Sequence, residues 1–404
     1  MKNKAFEKVL IDGWDGVHIG KWSLDSDAVV GAKTAPWSIR KYTLSGGRQE
    51  GVDVVELDTG AMTVVVVPTR GMNVLSAHTE DATIGWESPV QEVVHPAHID
   101  PYDRGGTGFL DGFNEMIARC GLENTGAPCE DTIETPTGEK GTVELPLHGR
   151  ISNIPAVRAW VTVELEEPYR LSVSGEMYDT RMFGPSYRLT STVTATPGDA
   201  GFRVIDRVQN LSGTPSEMEL LYHCNYGPPL LEEGSKAVVP VETMSARDER
   251  ALEGVGEWNT YGPPTPGFNE QGYYCTLHAD DDGRTKVGLV NSNRDLGVSI
   301  GFSTEQLPAF TLWKNTAAER DGYVTGLEPA TDYPNPRPFE RRKDRVVELD
   351  TGETYRAELD IQLHEDATQV KDMMEEIDEL AAGSESRLLE DIDPDLSPAG
   401  SGSG

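Results

Sequence analysis

From residue 54 to about residue 363 the apolar positions come in short runs, β-branched or alternating with polar residues, and turn residues separate the runs. Val54-Val55-Glu56-Leu57 leads through Asp58-Thr59-Gly60 into Met62-Thr63-Val64-Val65-Val66-Val67, which predicts a hairpin. The stretches 156–165, 170–177, 187–196 and 201–210 predict four more strands, with Glu166-Glu167-Pro168 and Thr196-Pro197-Gly198-Asp199 as turns. Along Leu171-Ser172-Val173-Ser174-Gly175-Glu176-Met177 apolar and polar side chains alternate, the period of a half-buried strand. Further strands are predicted at 286–290, 297–302, 309–313, 345–349 and 354–361. No long helix intervenes, so the pattern predicts antiparallel sheets rather than a doubly wound parallel fold.

The carboxyl end differs. Val370, Met373, Met374, Ile377 and Leu380 fall on one helical face, and residues 365–404 carry twelve acids against Lys371 and Arg387. The expected organisation is a β domain over 1–365, an acidic amphipathic helix over 366–382 and a disordered acidic tail over 383–404.

Composition narrows the class. Among 404 residues, 42 Gly and 26 Pro demand many turns and argue against a helical bundle. The 35 basic and 68 acidic side chains give a formal charge of -33, so neither nucleic acid nor a membrane surface is an expected partner. The basic residues are 12 Lys and 23 Arg, and the acids are spread along the chain, a balance that resembles the acidic proteomes of halophilic cells. No apolar run approaches the roughly 18 residues of a spanning helix, and the first residues lack the apolar centre of a secretion signal, so a cytoplasmic location is expected. Cys120, Cys129, Cys224 and Cys275 form no Cys-x-x-Cys pair and are expected as free thiols.

Several segments carry candidate chemistry. In Gly326-Leu327-Glu328-Pro329 an apolar strand ends on a carboxylate, because Pro329 removes a ladder donor; Glu328 is either a base facing a pocket or an exposed turn acid. In Leu220-Leu221-Tyr222-His223-Cys224-Asn225-Tyr226 a strand carries an imidazole that titrates near neutrality, either a proton donor or a core histidine bonded to backbone. Pro146-Leu147-His148-Gly149-Arg150-Ile151-Ser152-Asn153 places polar groups suited to a polyol beside a permissive glycine, or is a solvated loop. Arg70 ends the strand before Gly71-Met72 and either orients a ligand or forms a structural ion pair. Asp111-Gly112-Phe113-Asn114-Glu115-Met116 has the composition of a ligand-facing loop. His95, His98 and Asp100 are weak metal-ligand candidates, since Pro96 and Pro101 oppose a regular helix.

The order of these clusters, an Arg at a strand end, a Leu-His-Gly loop, a strand-borne His with Asn225 and Tyr226, and a late Gly-Leu-Glu-Pro followed by Tyr333-Pro334-Asn335, resembles the aldose 1-epimerases, or galactose mutarotases. The resemblance spans about residues 50–362 and is nearer to a poorly characterised branch whose members carry phrases like Thr69-Arg70-Gly71-Met72 and Glu328-Pro329-Ala330-Thr331. It implies an all-β fold, one large antiparallel β-sandwich of the supersandwich type with a sugar cleft on its concave face, followed here by the helix and tail. By motif, Glu328 resembles the general base and His223 the general acid. The substrate-binding set implied is Arg70, His148, Arg150, Asn225, Lys314, Asn335 and Glu115. No nucleotide or redox cofactor is implied, a divalent metal stays open, and the chain is expected as a monomer or homodimer with a small sugar as its partner.

The sequence departs from the ordinary pattern. Arg150 replaces the second Gly of the loop, Pro329-Ala330 stand where a Gln often follows the Glu, and Gly227-Pro228-Pro229 follow the Asn225-Tyr226 pair. Two alternatives to mutarotation therefore stand beside it. One is an aldose–ketose isomerase or sugar epimerase assisted by a metal or by Lys314; the other is a carbohydrate-binding protein without turnover.

Overall fold

In the strand Ser216–Tyr226 the side chains of Leu220, Tyr222 and Cys224 enter the main core, and the pleat turns Glu219, Leu221, His223 and Asn225 to the opposite face. The same period-two rule organises the rest of the computed structural model, which describes residues 4–134 and 137–401. Among these, one sheet has ten strands and another fourteen. Neighbouring strands run antiparallel, apart from a short parallel pairing of Arg387 and Leu388 with Thr243 and Met244.

The core lies between the two large sheets. Val161, Val173, Val193, Val204 and Leu359 come from the smaller sheet and Val55, Leu57, Val64, Leu220, Leu312 and Leu327 from the larger, all buried in one cluster. A charged clamp crosses it. Arg119 donates from Nε to Asp206 at 2.5 Å and from Nη2 to Ser191 at 2.6 Å, and the Tyr222 hydroxyl donates to the same Asp206 oxygen at 2.9 Å. Buried charge is tolerable here because one Asp206 oxygen accepts twice and Arg119 also donates to the carbonyls of Gly71 and Met72.

At the carboxyl end Asp366 caps a helix, Ala367–Leu380, by accepting from the Thr368 and Gln369 amides. The helix buries Val370, Met373 and Ile377 against Val238 and Val290. The tail was expected to be disordered from residue 383, but the described part is anchored through backbone and apolar contacts. The Leu389 amide donates to Met244 and Asp393 donates to the Ser245 hydroxyl. Leu396 packs on Tyr274 and Tyr333, Asn335 donates to the Leu396 carbonyl, and Ser397 donates to the Arg247 carbonyl. An acidic composition did not rule this out because Lys343 pairs with Asp395 and the apolar residues are few but well placed. The expectation for residues 402–404 lies outside the described residues.

Candidate active site

Three neighbouring strands of the larger sheet, Ser216–Tyr226, Tyr323–Ala330 and Ala309–Thr316, build the floor of a cavity of about 570 Å³. Leu327 and Leu312 point into the core, so Glu328, Thr311 and Trp313 point out into the cavity. The ladder between the first two strands pairs Cys224 with Leu327 and Leu221 with Ala330, which sets His223 across from Glu328. His223 Nε2 lies 3.2 Å from Glu328 Oε1. Gly326 makes this approach possible, since a Cβ there would stand 2.4 Å from Glu328 Oε1 and 3.1 Å from His223 Cε1.

Asn225 fixes the tautomer of His223. Its Nδ2 donates to the carbonyls of Glu115 and His223 at 2.9 and 3.0 Å, so its Oδ1 must accept from His223 Nδ1, at 2.6 Å. Nε2 therefore faces Glu328 as the titrating nitrogen. Burial, and then the neighbouring His148, lower the His223 pKa to about 3, while burial pushes Glu328 well above the carboxylate range. The resting pair thus carries its single proton on Glu328. Burial favours the neutral pair over the ionised one.

His148 enters from its loop with φ of 58°, a left-handed conformation that the loop holds through Gly121, whose amide donates to the His148 carbonyl at 3.0 Å. Gly149 passes so close that a Cβ would stand 2.2 Å from the Gly121 oxygen, which is why a side chain is excluded there. His148 donates from Nδ1 to the Thr125 carbonyl at 2.7 Å, and its ring centroid is 5.4 Å from that of His223. Phe113 and Trp313 flank His223 edge-on at 5.0 and 5.2 Å. Trp86, Leu110 and Leu147 extend the apolar wall. At the rim Arg247 pairs with Glu270 at 2.9 Å, and the Trp313 indole donates to Glu270 at 2.8 Å. Two buried polar atoms of the floor, Glu328 Oε1 and Thr311 Oγ1, have no hydrogen-bond partner among the described residues. Such atoms await a polar ligand.

The other sequence candidates lie elsewhere. Arg70 and Glu115 are buried against each other at 2.8 Å, and Arg70 also donates to the carbonyls of Val94 and Gly112, each at 3.0 Å. Their charges are mutually satisfied behind the cavity wall. Arg150 pairs with Asp179. Lys314 follows Trp313, so the pleat turns it away; its ammonium donates to the carbonyls of Glu257 and Thr260 at 2.9 and 2.7 Å, and burial lowers its pKa to about 8. Asn335 lies behind Pro334, bonded to Glu340 at 2.7 Å and to Tyr274 at 3.1 Å. His95 Nδ1 caps the turn Pro96–His98, and no group of three or more potential metal ligands occurs among the described residues. Sequence reasoning missed Trp86, Thr311, Trp313, Arg247 and Glu270. The alternation of 309–313 carried a signal for two of them, since Thr311 and Trp313 share the face opposite Phe310 and Leu312.

Comparison with known proteins places this geometry. The family model described as "Domain of unknown function (DUF4432)" matches residues 49–363. A solved structure from Klebsiella pneumoniae subsp. pneumoniae MGH 78578, titled a "putative aldose 1-epimerase", is 34% identical over 95% of this chain and 97% of its own, with a TM-score of 0.89. The chain belongs to the DUF4432 family, within the galactose mutarotase-like superfamily. A galactose mutarotase-like protein from Clostridium acetobutylicum shares the fold with this DUF4432 protein at a TM-score of 0.56 and 14% identity, covering 81% of this chain and 98% of that one. A protein of Escherichia coli K12 with the same epimerase title does so at 0.51 and 12%, covering 78% and 99%. No curated protein matches the sequence. The expected all-β sandwich is therefore the fold of this DUF4432 protein. No helix among the described residues is long and apolar enough to cross a membrane.

Proposed function

We propose that this DUF4432 protein interconverts the anomers of a free sugar by general acid–base catalysis. The observation that carries the reading is the His223–Glu328 pair, 3.2 Å apart at the floor of an aromatic-walled cavity. The cavity volume lies in the roughly 300–1,000 Å³ range of small-molecule sites, and aromatic faces suit the C–H faces of a pyranose while unpartnered polar atoms suit its hydroxyls.

The chemistry needs a proton removed from the anomeric hydroxyl and a proton delivered to the ring oxygen. Moving the pair's proton from Glu328 to His223 Nε2 produces a carboxylate base and an imidazolium acid. Glu328 then takes the anomeric proton, His223 protonates the ring oxygen, and the C1–O5 bond breaks to give the open aldehyde. Rotation about C1–C2 and closure on the other face return both protons. Burial serves this exchange, because the environment that opposes charge makes Glu328 the stronger base and His223 the stronger acid once the proton has moved. His148, with Nδ1 occupied by Thr125, offers Nε2 to a substrate hydroxyl. The ketose-isomerase alternative loses its proposed amine, since Lys314 faces away from the cavity.

Proton exchange spectroscopy of aldoses and ketoses in deuterium oxide tests the reading. The expected result is anomer exchange far above the buffer rate, lowered on the order of 10²–10⁴-fold in Glu328→Gln and His223→Asn, with no deuterium entering carbon positions. Carbon-bound deuterium would shift the reading to isomerisation. Saturable binding without exchange would leave a carbohydrate-binding protein.

A further inference from the structure

The ladder that sets His223 against Glu328 carries a second polar pair. From the pairing of Leu221 with Ala330, the register continues to place Glu219 opposite Asp332, on the same face as the proton pair. Leu221, Ala330 and Cys120 fill the space between as a small apolar cluster. Glu219 and Asp332 are fully buried, and one oxygen of each, Glu219 Oε1 and Asp332 Oδ2, has no hydrogen-bond partner among the described residues. Two acids buried side by side favour a proton on one of them. Burial and the Glu219 charge raise Asp332 well above its usual range, and burial raises Glu219 to about 7 against the opposing pull of Arg337.

This pair grips Thr125, itself fully buried. The Thr125 amide donates to Glu219 Oε2 and its hydroxyl donates to Asp332 Oδ1, both at 3.0 Å. The Thr125 carbonyl is the acceptor for His148 Nδ1. A continuous path of hydrogen bonds therefore runs from two buried acids through Thr125 to a ring that lines the cavity.

We propose that Glu219 and Asp332 are positioning residues for His148: they hold both donors of Thr125, whose carbonyl keeps the His148 ring in the Nδ1–H tautomer with Nε2 bare for a ligand. The ring's state is a property of the free protein, and only its consequence for turnover rests on the epimerase reading.

Nitrogen-15 spectra of histidine-labelled full-length protein test this directly, with His148 assigned from the signals lost in His148→Asn. The wild type is expected as a single Nδ1–H tautomer. Asp332→Asn keeps an acceptor for the Thr125 hydroxyl, so its spectrum is expected to match. Asp332→Ala and Thr125→Val are expected to give mixed tautomers, with kcat for anomer exchange lower on the order of tenfold and KM changed less. A single Nδ1–H tautomer in Asp332→Ala overturns the proposal, as does mixing in Asp332→Asn equal to that in Asp332→Ala. Should Asp332→Ala fail to fold, Thr125→Val decides, and an unchanged tautomer there overturns it. Tautomer mixing in the variants of a protein that turns over no sugar leaves the positioning role standing and removes the epimerase reading.

Discussion

Asn225 Oδ1 accepts the Nδ1 proton of His223 at 2.6 Å, while the amide nitrogen of Asn225 is held by two backbone carbonyls. The amide cannot flip without facing an N–H toward another and stranding two acceptors. One side chain thus dictates which imidazole nitrogen meets Glu328.

Replacing that amide tests the pair's proton count. The acid limb of the rate profile arises when His223, with its pKa near 3, takes a second proton while Glu328 is still protonated, leaving no base. Asn225→Asp places a carboxylate beside Nδ1 and favours imidazolium, so the acid limb is expected to move to higher pH. Asn225→Leu leaves either nitrogen free to carry the proton and is expected to lower kcat about tenfold or more at every pH. Anomer exchange rates followed against pH decide both.

Stability should carry the signature of Glu328. Its pKa is raised in the folded chain, so the folded state holds its proton more firmly than the unfolded state does. The contribution is fully present below the ordinary carboxylate value of 4.5 and declines as pH rises through the folded value. Glu328→Gln removes this dependence. The Tm of Glu328→Gln minus that of wild type is expected to be small at low pH and to grow steadily toward pH 8, as scanning calorimetry would show; a flat difference would contradict the burial argument.

Gly326→Ala probes the space that the carboxyl needs. The added methyl would meet Glu328 Oε1 at 2.4 Å, and the movable partner is the end of a side chain rather than backbone. The fold is therefore expected to survive, by circular dichroism, while the displaced carboxyl lowers kcat on the order of 10²-fold.

The formal charge of -33 predicts a salt response. Self-repulsion is screened over about 10 Å at 0.1 M salt but over about 3 Å at 1 M, so Tm should climb by several degrees across that interval. Thermal melts in potassium chloride measure it, and a Tm that falls with salt would mean that the ion pairs outweigh the repulsion.

Alternation made the strands readable from sequence, because one buried face per strand leaves a period of two. It also carried Glu328, His223 and His148, since a Glu-Pro step, an apolar run into an imidazole and a glycine-flanked loop are local signals. The strand expected to end on Glu328 nevertheless runs on through Pro329 to Ala330, which still pair with Phe310 and Ala309. The binding set around them was harder. Arg70 and Glu115 were each sensible ligands alone, and only the fold reveals that they meet across 45 positions of chain and satisfy one another. Lys314 shows the other limit: a single step along the pleat separates a residue that lines the cavity from one that faces Tyr261 and Tyr273. The tail eluded composition for a similar reason, because a few contacts such as Leu396 on Tyr333 decide its path.

Those contacts bear on how the protein is handled. Leu396 and Ser397 grip Asn335 and Arg247, and each of these adjoins or lines the cavity. A chain trimmed after the helix would keep the proton pair and all but the short edge strand Arg387–Leu388 of the sheets, yet lose the brace behind Pro334, so an affinity handle belongs at the amino end, and a shortened version that binds sugar poorly would report a slack doorway rather than a missing catalyst.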